Sequence, residues 1–354
     1  MKNLHYSFIL LFGLTLFCGA FLLTDLAEDT SAQTKPGATP TPTPKPIVEE
    51  EEVLKVETEL VNINVRVVDR FSRPINGLKQ SDFTILEDGV AQRIEFFSQS
   101  EVPTNYSLVV DNSGSLRRQI DKIIEASKIL VSYNKPADET MVIRFVGSQN
   151  IEITQPFTSK KEYVNDALDN FHIEGGQTAI RDAVYLAADN VSNYEKKTKD
   201  DRTRRAIILV TDGEDRASFY TEAQLFTLLR ESDVQIYVIG FVDDLDKDTG
   251  FIRKSEQSRA KAFLEKLATE TGGKAYFPTG LEQLNGIAKE IAGELRTQYS
   301  IGYIPTNDKE DGTFRQIRVT VPDGPGGAKR IPLTKAGRTA GAVADPSKPA
   351  TKPN

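Results

Sequence analysis

Tryptophan is absent from the 354 residues, and Cys18 is the sole cysteine. One cysteine excludes an intramolecular disulfide framework and any Cys-rich zinc site. Histidine is nearly as scarce, with only His5 and His172. That removes histidine-based zinc centres and leaves little room for Ser-His or Cys-His catalysis. An excess of positive charge is missing too: 44 Lys and Arg stand against 51 Asp and Glu, for a net charge of −7. A nucleic-acid partner is therefore not expected, because affinity for phosphates comes mainly from Lys and Arg. Any metal would have to be held by oxygen. What the chain does have is 39% hydrophobic residues with 18 Phe, enough for ordinary cores, and a length that suits two or three domains.

The N-terminus reads as an export signal. Lys2 precedes an almost unbroken apolar run from Phe8 to Leu23, and Thr30-Ser31-Ala32 offers small residues before Gln33. The expectation is a signal peptide over residues 1–32 and an exported protein that is periplasmic, secreted or associated with the cell envelope. If the segment is retained, it becomes a membrane anchor, although it is short for a bilayer-spanning helix. Residues 33–55 form a Thr/Pro-rich spacer (Thr39-Pro40-Thr41-Pro42-Thr43-Pro44) that ends in the acidic run Glu49 to Glu52. Proline fixes φ and removes donors, so this spacer should be stiff and extended. Residues 336–354 are rich in Gly, Ala, Pro, Lys and Thr and are expected to form a disordered tail.

Between these ends the pattern changes twice. Residues 56–100 alternate with period two: a run through Leu60, Ile63, Val65 and Val67, a strand Phe83–Leu86, a tight turn at Glu87-Asp88-Gly89, and a strand from Ala91 to Phe97. From Tyr106 strands alternate with helices. Ser107-Leu108-Val109-Val110 and Ile207-Ile208-Leu209-Val210 read as strands buried on both faces, and Ile120, Ile123, Ile124, Ser127 and Leu130 mark the face of a first helix. After Thr297 two further β runs follow, Gln298 to Ile304 and Phe314 to Val321. Residues 106–297 therefore read as a doubly wound, mostly parallel α/β sheet. Segments 56–100 and 298–335 are each too small to stand alone, so they are expected to pair into one β-sandwich with the α/β domain inserted between them.

The chemistry concentrates on Asp111-Asn112-Ser113-Gly114-Ser115, which follows a buried strand and precedes an amphipathic helix. In open α/β sheets that edge is where ligands bind. The spacing puts one carboxylate and two hydroxyls on a single loop, with Gly114 expected to let the loop turn. Thr178, after Gly175-Gly176-Gln177, and Asp212, in Thr211-Asp212-Gly213, begin later α/β connections on the same side. Asp111, Ser113, Ser115, Thr178 and Asp212 make an all-oxygen donor set suited to Mg²⁺ or Mn²⁺. With two carboxylates, a divalent ion is at most neutralised and can take a further carboxylate from another molecule. The alternative for Asp111, Ser113 and Ser115 is helix capping, which these residues favour. Asp182 is expected to be a helix-surface or loop-bracing residue rather than a ligand, and Asn112 to orient the loop. Asp244-x-Asp246-x-Asp248 resembles a calcium loop but has Thr249 and Ser255 where glycine and an acid are needed. Arg204-Arg205 is expected to snorkel, and His172 to be structural.

Residues from about Tyr106 to Thr297 resemble a von Willebrand factor type A domain. All five positions of that family's metal-ion-dependent adhesion site are matched. The surroundings Gly176-Gln177-Thr178-Ala179-Ile180-Arg181-Asp182-Ala183 and Val210-Thr211-Asp212-Gly213-Glu214-Asp215 are similar as well. The flanks Val67 to Pro74, Leu78 to Gly89 and Gln298 to Tyr303 resemble a bacterial subgroup, the VWFA-related domain family of Acidobacterial type. The resemblance implies metal-dependent protein binding, with no known ligand for this subgroup; together with the charge balance above, the expectation is a non-enzymatic protein whose partner presents an Asp or Glu. Two alternatives stay open at this point. One is a metal-dependent hydrolase that uses the same ion as a Lewis acid, with Glu214 or Asp215 as base. The other is a structural envelope protein whose site is a relic.

Overall fold

The computed structural model describes residues 60–99, 101–194, 203–242 and 251–341, the side chains of 251–255 excepted. The expected signal segment, spacer and calcium-like loop, and the last part of the tail, lie outside the described residues. Among the described residues no helix is long and apolar enough to cross a membrane.

Four short strands come first: β1 (Val61–Val68), β2 (Thr84–Glu87), β3 (Val90–Gln92) and β4 (Ile94–Ser98). The α/β part follows, with β5 (Thr104–Asp111), α1 (Ile120–Ser132), β6 (Glu139–Phe145), β7 (Ile151–Thr158), α2 (Lys161–Asp169) and α3 (Ile180–Asn193). It continues through β8 (Arg204–Thr211), α4 (Glu222–Glu231), β9 (Val234–Gly240), α5 (Phe251–Thr271), β10 (Ala275–Tyr276) and α6 (Leu284–Arg296). Four strands close the described chain: β11 (Tyr299–Tyr303), β12 (Phe314–Thr320), β13 (Ile331–Leu333) and β14 (Gly337–Thr339).

The central sheet has the order β10-β9-β8-β5-β6-β7, parallel except for the edge strand β7. Alternate residues of each inner strand go to opposite faces. Leu108 and Val110 of β5 and Ile208 and Val210 of β8 pack with α1, α2 and α6. Val109, Ile207 and Leu209 pack with α3, α4 and α5. This two-sided burial explains why these strands read as continuous apolar runs. On α1, Ile123, Ser127 and Leu130 are buried as the periodicity predicts, and Ile120 and Ile124 lie at the margin of that face.

The flanking strands form two antiparallel sheets, β13-β1-β11-β4 and β14-β12-β2-β3. Each sheet contains strands from both sides of the inserted α/β domain: Val61 is opposite Tyr303 in one, and Ile85 is opposite Val319 in the other. Their inner faces share a core of Val61, Ile63, Val65, Ile85, Tyr299, Ile301, Ile317 and Val319.

Two details differ from the sequence reading. The run Ala91 to Phe97 is two strands rather than one: β3 pairs with β2, and after Arg93 the chain crosses to the other sheet, where β4 pairs with β11. The region from Gly337, expected to be disordered, begins with β14, whose Arg338 is opposite Arg315 of β12. Apolar burial does not hold this strand. Arg338 Nε donates to the buried Glu87 at 3.0 Å, and the same carboxylate accepts from the Tyr303 hydroxyl at 2.5 Å.

The sandwich meets the α/β domain around buried polar groups. Arg66 of β1 forms an ion pair with Glu294 of α6, donates to the Gly273 carbonyl at 3.1 Å and lies over the Tyr237 ring. Burial raises the Glu294 carboxyl above its usual range, and the adjacent Arg66 opposes that shift. Arg204 does not snorkel. It is buried and donates to the carbonyls of Leu295 at 2.5 Å and Gln298 at 2.9 Å, tying β8 to the point where the chain leaves α6.

Candidate metal centre

The sheet order reverses direction between β5 and β8, and the crevice outside the carboxyl ends of those two strands is where this topology places ligands. Asp111 is the last residue of β5, and Asp212 directly follows β8. Both carboxylates are buried.

Three loops are stitched together at this edge. The first runs from Asp111 into a 3₁₀ turn, Gly114–Arg118. Asp111 Oδ1 accepts from the Ser113 amide at 2.9 Å, and its Oδ2 accepts from the Thr211 hydroxyl at 2.7 Å, which joins the first loop to the third. The Ser113 and Ser115 hydroxyls lie 2.8 Å apart. The second loop approaches through its backbone, with the Glu174 amide donating to the Asn112 carbonyl at 3.3 Å. The circuit closes where the Arg216 and Ala217 amides donate to the Thr178 carbonyl at 2.9 and 3.1 Å. The loops carrying all five expected donors therefore converge.

Capping does not account for these residues. Ser113 occupies the N-cap of the 3₁₀ turn without a side-chain capping bond, and α3 starts at Ile180 with Ala179 as N-cap, so Thr178 caps nothing. Gly114 does not use the conformational freedom expected of it, since a Cβ there would meet only Gly175 Cα, at 3.8 Å. Glycine is required at Gly176 instead, where φ is +131° and a Cβ would fall 2.6 Å from Val146 Cγ1.

The electrostatics suit a cation. Burial and, next, the neighbouring Asp212 charge push the Asp111 carboxyl up to about 7, against the hydrogen bonds from Thr211 and Ser113 that lower it. The side chain of Asn112 is buried beside it, and neither its amide oxygen nor its nitrogen has a partner. Two neighbouring buried carboxylates, the hydroxyls of Ser113, Ser115 and Thr178 and an unpartnered amide make a hard-oxygen donor set, and the residues fit a small divalent ion. Among the described residues no group of three or more His, Cys, Asp or Glu could hold a metal.

The raised Asp111 carboxyl also has a thermodynamic consequence. An unfolded aspartate titrates near ~3.9. Between there and about 7 the fold binds more protons than the unfolded chain, so stability falls as pH rises across that window. In chelator, the melting temperature should fall between pH 5.5 and pH 8 more steeply for the wild type than for Asp111→Asn. Parallel profiles would contradict this account.

Sequence reasoning anticipated one bracing group and missed two. Asp182, expected as a brace, accepts from the Phe219 and Tyr220 amides at 2.8 and 2.9 Å. Asp215 was not expected to brace; it accepts from the Arg181 amide at 2.9 Å and the Ser218 hydroxyl at 2.7 Å. Thr211, which bonds Asp111 and accepts from the Gly213 amide at 3.1 Å, was also passed over. The only local signal was that these residues adjoin Asp212. His172 is on the surface beside Glu174 and Arg144.

The family description "von Willebrand factor type A domain" matches residues 107–290. No curated protein matches the chain. Among solved structures, an aerotolerance-related membrane protein from Bacteroides fragilis is 22% identical, over 54% of this chain and 98% of that one, with a TM-score of 0.41. A von Willebrand factor type A protein from Catenulispora acidiphila is 12% identical, over 80% of this chain and 75% of that one, with a TM-score of 0.43. Proximal thread matrix protein 1 from the mussel byssus, solved with a zinc-occupied MIDAS motif, is 18% identical, over 56% of this chain and 49% of that one, with a TM-score of 0.44.

Proposed function

This chain belongs to the von Willebrand factor type A domain family, and from that membership and the loop geometry we propose that it is an exported, non-enzymatic binding protein whose metal centre recognises an acidic side chain of a protein partner. The observation that carries the reading is the convergence of the Asp111, Thr178 and Asp212 loops on one buried, cation-deficient pocket. Asp111, Ser113, Ser115, Thr178 and Asp212 would hold Mg²⁺ or Mn²⁺. When bound, the ion supplies positive charge to which an incoming carboxylate can be attracted.

This chain's own residues do the positioning. Thr211 and the Ser113 amide fix the Asp111 carboxylate, and Asp182 and Asp215 hold the 211–220 loop so that Asp212 stays beside it. Ser115 lies at the solvent-facing side of the set, while Asp111 and Asp212 are buried beneath. The apolar N-terminus supports export, and the spacer would project the folded part from a membrane or wall if the segment stays attached.

The test is titration of the intact protein with Mg²⁺ and Mn²⁺ by calorimetry, followed by capture of envelope proteins with and without chelator. One-to-one binding of either ion and chelator-reversible capture are expected. Failure of both ions to bind would reject the site.

A further inference from the structure

The charges around the pocket are unevenly matched. Arg144 pairs with Glu152 and Glu174, Arg181 with Asp215, and Arg216 with Glu214. Arg117 and Arg118, at the end of the 3₁₀ turn that carries Ser115, are exposed and have no ion pair among the described residues. In a 3₁₀ turn side chains three apart eclipse, with a rise of about 6 Å. Arg118 therefore follows Ser115 along one face. Arg117 follows Gly114, whose missing Cβ faces the Gly175 loop. Both arginines thus lie on the turn that carries Ser115, about one 3₁₀ turn further along the chain.

On the 211–220 loop, Phe219 is 81% exposed, the highest value among the large apolar side chains of the described residues. It is presented rather than loose. Its amide is held by Asp182, and its ring packs edge-on against Tyr220, which stacks on Tyr185 at 3.9 Å. A braced, exposed aromatic costs little ordering entropy when it is covered, as binding anchors require.

We propose that the occupant of this rim is an acidic protein segment with several carboxylates and one apolar residue. One carboxylate meets the metal centre, further Asp or Glu residues pair with Arg117 and Arg118, and the apolar side chain covers Phe219. This rests on the reading of the pocket as a metal-dependent binding site and names its ligand class. A single isolated carboxylate would leave both arginines unmatched, and a basic segment would be repelled by them.

The experiment is selection of random peptides of about twelve residues, displayed on phage, against the intact protein in Mg²⁺ with elution by chelator. The wild-type pool should contain one obligatory Asp or Glu, additional acids within a few positions, and a flanking apolar residue. With Arg117→Ser and Arg118→Ser together, the obligatory acid should remain and the additional acids should disappear. Affinity for a wild-type-selected peptide should fall about 5- to 30-fold, with a shallower salt dependence. Phe219→Ala should remove the apolar preference. A wild-type pool with single acids only, or a double variant that selects the same multi-acid pool, would overturn the proposal while leaving the metal site intact. If no peptide is eluted by chelator, or if chelator-eluted peptides persist with Asp111→Ala, the reading of the pocket itself fails.

Discussion

Replacing Glu294 by alanine should lower the stability of the protein by about 3–5 kcal/mol, the range for breaking a buried ion pair. Arg66 and Glu294 are both almost wholly buried where the sandwich meets the α/β domain. Removing the carboxylate leaves the buried Arg66 guanidinium without its ion-pair partner, held by the Gly273 carbonyl and the Tyr237 face, and takes from Lys274 a carboxylate 4.0 Å away. The penalty is that of an uncompensated charge, not the net worth of the pair. An apolar pair of similar volume, Arg66→Met with Glu294→Leu, should therefore recover most of the loss. Denaturant unfolding of the three variants checks this. A single variant within about 1 kcal/mol of wild type would mean that water reaches the junction.

Replacing Asp111 by alanine should have opposite effects on two measurements. Metal affinity should fall by more than about 100-fold, beyond the ~10–100-fold effect of losing an outer partner, because the substitution removes a ligand. The metal-free fold should be as stable at pH 8 as the wild type or more so, since the substitution removes a carboxylate that burial and Asp212 hold in an unfavourable state. Calorimetry with Mg²⁺ and thermal unfolding in chelator separate the two effects. Loss of binding together with collapse of the fold would mean that the Thr211 and Ser113 hydrogen bonds to Asp111 are needed for structure first.

The loops that converge at the candidate site were legible because their signal is local. A carboxylate and two hydroxyls within five residues, at the end of an apolar strand, need no tertiary information to be noticed. Parallel strands bring Asp212 to the same edge as Asp111, whereas Thr178 reaches it on the loop between α2 and α3, held by the Ala179 amide on the Val146 carbonyl. The strands of the α/β part were legible for the same reason: burial on both faces leaves unbroken apolar runs such as Ile207 to Val210.

What escaped was set by partners distant in the chain. Period-two alternation from Ala91 to Phe97 marks a strand, but not that the chain changes sheets after Arg93. The polar Gly337–Thr339 becomes a strand through a backbone ladder and the Arg338–Glu87 pair, neither of which leaves an apolar pattern. Arg204 beside Arg205 looks like surface charge, yet its guanidinium satisfies the carbonyls that end α6. Asp215 and Thr211 sit beside the conspicuous Asp212, and only the folded loop shows that they are its scaffold.

The insertion of one domain within another also orders events at the ribosome. Arg66 and its partner Glu294 are separated by 228 positions, and β11 lies further on still. The first half of the sandwich therefore leaves the exit tunnel long before the strands it must pair with exist. Closing so long a chain as open coil costs about 5 kcal/mol by the logarithmic law for loops. The inserted domain can complete its own sheet first and, in doing so, bring residues 104 and 298 together. The nascent sandwich then meets its second half across a short gap, and until that moment the lone edges of β1 and β2 are the part of the chain most in need of a chaperone.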